Sequence, residues 1–231
     1  MIGIFDSGVG GLTALYEVRQ ALARADIVYL ADRKNAPYGT KTKEELIRLV
    51  TEDIRRLAER GAEKILIACC TASAVWGELP TREREIAIPI IRPAARAAAE
   101  SARRGVAVIA TEATVRLGAF SREVARINPA IPVNEIAAQE LVALVEGGCR
   151  DGRVSEKDLS VLCGVSDKIR NTGADTLILG CTHFSHLERT LASLTGMQTV
   201  SPAREGARVI IEEYKKLHPS RRSGTGRVHY L

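Results

Sequence analysis

The chain has 231 residues, 45% hydrophobic and 26% charged, with 19 Gly and 8 Pro, an ordinary globular composition long enough to bury a substantial core. No run of 18 uncharged apolar residues occurs, which excludes a membrane-spanning helix; the opening apolar run ends at Asp6, too short for a signal peptide, so a cytoplasmic protein is expected. The net charge of +5 hints at an anionic macromolecule, but Arg221, Arg222 and Arg227 lie in an acid-free stretch, 218–231, that reads as a disordered tail, and a 4% aromatic content is poor for stacking on bases; no nucleic-acid partner is expected.

Along the chain, short strands are predicted over 2–5 and 27–30. A helix over about 42–60 follows, with Leu46, Val50, Ile54 and Leu57 on one face. Further strands are predicted over 64–68, 88–91 and 106–110. A helix capped by Ser155 aligns Leu159, Leu162, Val165 and Ile169, and strands follow over 176–179 and 198–200. The last helix has Ser201 as cap and Pro202 in its first turn, and buries Ala203, Ala207, Ile210 and Tyr214. The strands are apolar throughout rather than alternating, the pattern of strands covered on both faces. Strand alternating with helix predicts a parallel α/β fold, in which functional loops lie beyond the carboxyl ends of the strands.

Four such loops stand out. Asp6-Ser7-Gly8-Val9-Gly10-Gly11 follows the first strand. Its glycine spacing is wrong for a dinucleotide fingerprint, and Asp6 would sit where a pyrophosphate needs neutral backbone. Two readings stay open: a carboxylate and hydroxyl facing a small ligand, or a tight turn with Asp6 capping a helix. Cys69-Cys70-Thr71-Ala72-Ser73 follows Ile-Leu-Ile-Ala, and Gly180-Cys181-Thr182-His183 follows Leu-Ile-Leu, so the two halves carry matching strand-to-cysteine junctions. A cysteine at a helix N-terminus is expected to have its thiol pKa lowered toward neutrality. The fourth loop is Ala110-Thr111-Glu112-Ala113-Thr114.

The five cysteines, at 69, 70, 149, 163 and 181, show no C-x-x-C pair and are odd in number, so free thiols are expected. Two opposed thiols admit three chemistries. Cys69, Cys181, His183 and His186 could ligate a metal, although Cys-x-His-x-x-His is an unusual zinc spacing. The thiols could form a redox pair. Or one thiolate could remove a proton from one face of a carbon while the other thiol delivers one to the opposite face, inverting a stereocentre. Cys149 and Cys163 are expected to be inert, and vicinal Cys69-Cys70 suggests a liability to oxidation.

Ile4-Phe5-Asp6-Ser7-Gly8-Val9-Gly10-Gly11-Leu12-Thr13, Pro37-Tyr38-Gly39-Thr40-Lys41, Ala68-Cys69-x-Thr71-Ala72-Ser73-Ala74 and Gly180-Cys181-Thr182-His183 occur in order, and together they resemble the glutamate racemases of the cofactor-independent aspartate/glutamate racemase superfamily. The likeness runs from Ile2 to about Lys216. It implies that Cys69 is the base for D-glutamate and Cys181 the base for L-glutamate, each acting as acid in the other direction, with no metal and no cofactor. It further implies that Asp6 assists Cys69 and that His183 and Glu146 assist Cys181. Ser7, Pro37, Tyr38, Gly39, Cys70, Thr71, Thr114, Thr182 and His183, with Asp6, match substrate-contacting positions.

The resemblance also implies two pseudo-symmetric, doubly wound parallel-sheet α/β domains with the active site in the cleft between them. Residues 1–92 with the final helix at about 202–217 form the first domain and 93–201 the second. A homodimer and a role in peptidoglycan synthesis are implied as well. Four features depart from the family pattern: Cys70 replaces Asn, Leu117 replaces Ser, Phe184-Ser185 replaces Tyr-Pro and Ser201 replaces Asp. A thiol is a weaker hydrogen-bonding group than a carboxamide. Alternatives to glutamate racemisation are therefore action on aspartate or another acidic amino acid, and a weakly catalytic amino-acid-binding paralogue.

Overall fold

Strands that are apolar throughout need cover on both faces, and the computed structural model, which describes residues 1–219 and 225–231, supplies it. The first half runs β1 (Ile2–Asp6), α1 (Leu12–Ala21), β2 (Ile27–Ala31), α2 (Lys43–Glu59), β3 (Lys64–Ile67), the single-turn α3 (Cys70–Ser73), α4 (Thr81–Ile86), β4 (Ala87–Pro89) and α5 (Ile91–Ser101). The second continues with β5 (Val106–Ala110), α6 (Glu112–Arg116), α7 (Ala119–Ile127), β6 (Val133–Ala137), α8 (Gln139–Glu146), α9 (Glu156–Arg170), β7 (Thr176–Gly180), α10 (Glu188–Thr195) and β8 (Gln198–Val200). Then come α11 (Pro202–Leu217) and β9 (Val228–Tyr230). The strands form two parallel sheets, ordered β4-β3-β1-β2-β9 and β6-β5-β7-β8. This is the expected α/β fold.

Successive side chains on each strand point to opposite faces, and here the two faces feed different cores. Ile2, Ile4, Tyr29 and Leu66 of the first sheet share one core with Val106, Val108 and Ile178 of the second; α1, α5 and α11 fill it with Val18, Ala94, Ala98, Ala207 and Ile210. Phe5, Val28, Leu30, Ile65 and Ile67 face the other way, onto Leu46, Val50, Ile54 and Leu57 of α2. Ala107, Ile109, Leu177 and Leu179 face Leu141, Leu162, Val165, Ile169 and Leu191. The shared middle core holds the sheets together, and α11 packs against α1, α5 and β3.

Helix starts follow the local chemistry. Thr42 and Glu45 exchange side-chain and backbone hydrogen bonds at the start of α2, and Ser155 and Asp158 do so at the start of α9, the reciprocal capping box. Ser201 precedes α11 as expected, but its side chain accepts no capping bond. The strand expected over 88–91 stops at Pro89, and Ile91 opens α5.

The stretch expected to be a disordered tail carries a strand. Residues 220–224, with Arg221 and Arg222, lie outside the described residues, but Val228–Tyr230 is an edge strand paired in parallel with Ile27–Tyr29. Tyr230 packs on Tyr29 with ring centroids 6.0 Å apart, and Asp26 accepts from the Arg227 backbone and the Thr225 hydroxyl. The edge strand β6 was also absent from the sequence reading, because Val-Asn-Glu-Ile-Ala carries polar residues at half-exposed positions. Among the described residues no helix is long and apolar enough to cross a membrane.

Within α9, Leu162 is fully buried whereas Leu159, expected on the same buried face, is 43% exposed in the first turn. L162A is therefore expected to cost about 2–5 kcal/mol, and L159A about 0.5 kcal/mol or less. Urea denaturation of the two variants checks the pair.

Candidate active site

The carboxyl ends of both sheets open onto one cavity of about 490 Å³. The first sheet contributes Ser7 after β1, Arg33 and Tyr38 after β2, and Cys69 to Thr71 after β3; the second contributes Thr111 after β5, Gln139 and Glu146 on α8, and Cys181 to His183 after β7. The matching strand-to-cysteine junctions thus bring Cys69 and Cys181 to one space from separate sheets.

Three contacts hold the loops of the two halves together. Thr182 Oγ1 donates to Asp6 Oδ2 at 3.3 Å, while the Gly8 N–H donates to Asp6 Oδ1 at 2.9 Å. Gly10 lies flat against this junction, since a Cβ there would fall 2.2 Å from Thr182 Oγ1 and 2.8 Å from Thr182 Cβ. The hydroxyls of Thr71, Thr111 and Thr114 form a buried triangle with sides of 2.9, 3.2 and 2.9 Å. Gly39 packs against Thr111 and Gln139, again with no room for a side chain.

The two thiols have different neighbours. Cys69 Sγ lies 3.4 Å from Ser7 Oγ. Cys181 Sγ lies 3.6 Å from His183 Nδ1, and His183 Nε2 lies 3.6 Å from Glu146 Oε1, so thiol, imidazole and carboxylate form a line leading out of the cavity. Contrary to the helix-terminus expectation, burial pushes Cys69 up to about 11, with the Asp6 charge adding to the effect and the Ser7 hydroxyl and backbone N–H groups only partly offsetting it. Burial also raises Cys181 and Cys70. The physical reason is size: α3 is one turn and the segment after Cys181 is a 3-10 turn, too little aligned backbone to outweigh desolvation. Burial likewise raises Asp6, offset in part by the Gly8 N–H and by His183.

Tyr38 holds the adjoining wall. Its hydroxyl reaches Asp32 Oδ2 at 2.6 Å and Asp53 Oδ2 at 3.1 Å, and Arg56 donates to Asp53 Oδ1 at 2.8 Å. Burial, with the Asp32 charge, pushes Asp53 up to about 6.

Of the residues named from sequence, Ser7, Pro37, Tyr38, Gly39, Cys69, Cys70, Thr71, Glu146, Cys181, Thr182 and His183 line the cavity. Asp6 and Thr114 do not: both are fully buried behind the wall, Asp6 bonded to Gly8 and Thr182, Thr114 to its two threonine partners. Thr111 takes the cavity-lining place expected of Thr114. Arg33, Thr111, Gln139 and Val142 line the cavity without having been singled out. Among the described residues no three His, Cys, Asp or Glu side chains form a group that could hold a metal ion, and His186 lies outside the cavity. Of the four departures from the family pattern, only Cys70 faces the cavity.

The family described as Asp/Glu/hydantoin racemase matches residues 14–210. This chain belongs to that family. A glutamate racemase of Geobacter metallireducens is 40% identical over 217 residues, covering 91% of this chain and 78% of that protein. The crystal structure of a glutamate racemase from Thermus thermophilus in complex with β-chloro-D-alanine superposes with a TM-score of 0.86 at 31% identity, covering 100% of this chain and 86% of that one. A Bacillus anthracis glutamate racemase gives a TM-score of 0.85 at 27% identity, with coverages of 100% and 86%. As in those structures, this member of the racemase family has two parallel sheets.

Two outcomes follow for this racemase. In G10A the new methyl must displace Thr182, so a stability loss of about 1–3 kcal/mol is expected together with loss of most activity. G77A, where a Cβ meets nothing within 4 Å, should leave both unchanged; thermal melts and a racemisation assay compare them. A carboxyl whose folded pKa lies above its unfolded value contributes stability in acid and loses it as pH rises through the folded pKa, here about 6 for Asp53. D53N keeps a neutral hydrogen-bonding group, so its melting temperature should gain on the wild type as pH rises from 5 to 8.

Proposed function

We propose that this protein is a glutamate racemase that interconverts L- and D-glutamate without a cofactor, the D-isomer supplying peptidoglycan synthesis. The observation that carries the reading is the pair of buried thiols, Cys69 and Cys181, reaching one cavity from two separate sheets. The names of the relatives support glutamate as the substrate.

In this reading Cα of the substrate lies between the sulfurs. From L-glutamate, the Cys181 thiolate removes the α-proton and the Cys69 thiol delivers its own proton to the opposite face; from D-glutamate the roles reverse. Each turnover leaves the two sulfurs in exchanged protonation states. His183 Nδ1, 3.6 Å from Cys181 Sγ, takes the thiol proton, and Glu146 stabilises the imidazolium through Nε2. Ser7 donates to the Cys69 sulfur once it is a thiolate. Asp6 acts through its field: its charge adds to the burial that holds Cys69 up, and the incoming substrate ammonium opposes that field, so binding itself lowers the thiol pKa. The α-proton is weakly acidic and a thiolate is a modest base. Hydrogen-bond donors around the cavity, with water displaced by the bound substrate, must therefore stabilise the developing carbanion.

Incubation in D₂O tests the reading. Either enantiomer of glutamate is expected to racemise with deuterium entering at Cα, read by NMR and circular dichroism, and C69S and C181S should each lose about 10²- to 10⁴-fold in turnover. Near-normal turnover in either variant would refute the two-base assignment, and exchange on aspartate alone would refute the substrate. The pH profile is a separate check. Because Cys69 is neutral up to about 11 in the empty site, kcat/KM from D-glutamate should still be rising with pH beyond 9; a plateau below pH 8 would mean that another group takes the thiol proton in the free enzyme.

A further inference from the structure

Glutamate carries two carboxylates and one ammonium, and the cavity that would receive it has a lopsided charge inventory. Glu146 lines it and Asp6 lies buried behind its wall, while the thiolate of the mechanism is matched by the His183 imidazolium. Against these stands one Lys or Arg side chain among the lining residues, Arg33. Most other polar groups there are already occupied: Tyr38 with Asp32 and Asp53, Thr182 with Asp6, and Thr71 and Thr111 with each other and Thr114. Among the described residues the Arg33 guanidinium has neither ion pair nor side-chain hydrogen bond, whereas its backbone N–H is fixed to Ala31 at 2.8 Å. The side chain thus lies two residues beyond β2, exposed and unpaired at the cavity lining.

Exposure bears on which end of the substrate it meets. Cα must sit between two sulfurs that are each less than a tenth exposed, whereas Arg33 is an exposed lining residue, so of the two carboxylates the one farther from Cα is the one placed to reach it. We propose, resting on the glutamate racemase reading above, that Arg33 is a specificity-determining residue that binds the side-chain carboxylate of the substrate. A planar guanidinium pairs with a carboxylate through two parallel hydrogen bonds, so Arg33 selects an acidic side chain over its uncharged amide and covers the opening when it does so. It takes no part in proton transfer.

The test compares wild type, R33M and R33K with D-glutamate, in turnover and in calorimetric binding, and uses D-glutamine as the uncharged comparison ligand in binding. R33M is expected to raise KM and Kd for glutamate about 10- to 100-fold with kcat changed less than threefold, to leave D-glutamine binding unchanged, and to keep the wild-type melting temperature. R33K should recover part of the loss, restoring charge without the planar fork. Raising salt from 0.05 to 0.5 M should weaken glutamate binding in the wild type and much less in R33M, since a pair at the mouth is screened. Equal KM, Kd and salt response in wild type and R33M would overturn the proposal while leaving the racemase reading intact. A wild type that binds D-glutamate in an Arg33-dependent way without turning it over would overturn the racemase reading alone, and one that neither binds nor turns it over would overturn both.

Discussion

Thr182 donates its hydroxyl proton to Asp6 across 176 residues of chain, and this one contact ties the carboxyl end of β1 to that of β7. A carboxyl with no exposed surface requires internal partners, and Asp6 finds them in one backbone N–H of its own loop and one hydroxyl of the other half. The approach is close enough that residue 10 must be glycine. Once β1 and β7 are joined in this way, β3 beside β1 and β7 itself necessarily aim their terminal cysteines at the same volume. The threonine triangle on the adjacent side repeats the device with neutral groups, joining the β3 loop to the β5 loop.

The same burial that fixes the geometry keeps the sulfurs protonated. Desolvation outweighs what a single helical turn can offer, and Cys69 rests well above the ordinary thiol range. A neutral thiol is a poor nucleophile toward peroxides, and burial holds the neighbouring Cys70 up as well, which works against the oxidation expected of a vicinal pair. Activation must then come from what enters the cavity. In the proposed mechanism a ligand bearing an ammonium opposes the Asp6 field, and the Cys181–His183–Glu146 line offers the proton somewhere to go. Thiolate formation coupled to occupancy in this way would restrict a reactive base to the moment it is needed.

How much of this was legible in the sequence varied with the kind of residue. β1, β3, β5 and β7, buried almost throughout, announced themselves as short apolar runs, and the cysteines just beyond β3 and β7 stood out because Ile-Leu-Ile-Ala-Cys in one half matches Leu-Ile-Leu-Gly-Cys in the other. β6 and β9 did not, because an edge strand can be half polar and three residues long. Asp6 was legible as important but not as buried, since whether a loop carboxylate faces ligand or protein depends on a partner 176 positions away. Thr111 and Thr114 lie on one turn and only the fold decides which of them borders the cavity. Arg33 and Gln139 belong to no motif; they reach the cavity because the β2 and β6 loops pack together at Gly39.

The departures from the family pattern separate on the same grounds. Phe184 is fully buried in the core of the second sheet and Ser201 is buried at the start of α11, so these changes bear on packing. Leu117 packs between two of the cores, and Ser185 Oγ is buried without a partner. Cys70 alone faces the ligand space. If glutamate binds there as proposed, a thiol in place of a carboxamide forgoes hydrogen bonds to a charged ligand worth about 1.5–3 kcal/mol each. The expected consequence of the Cys70 change is then a weaker hold on substrate or a shifted preference among acidic amino acids, with Cys69 and Cys181 still facing one cavity.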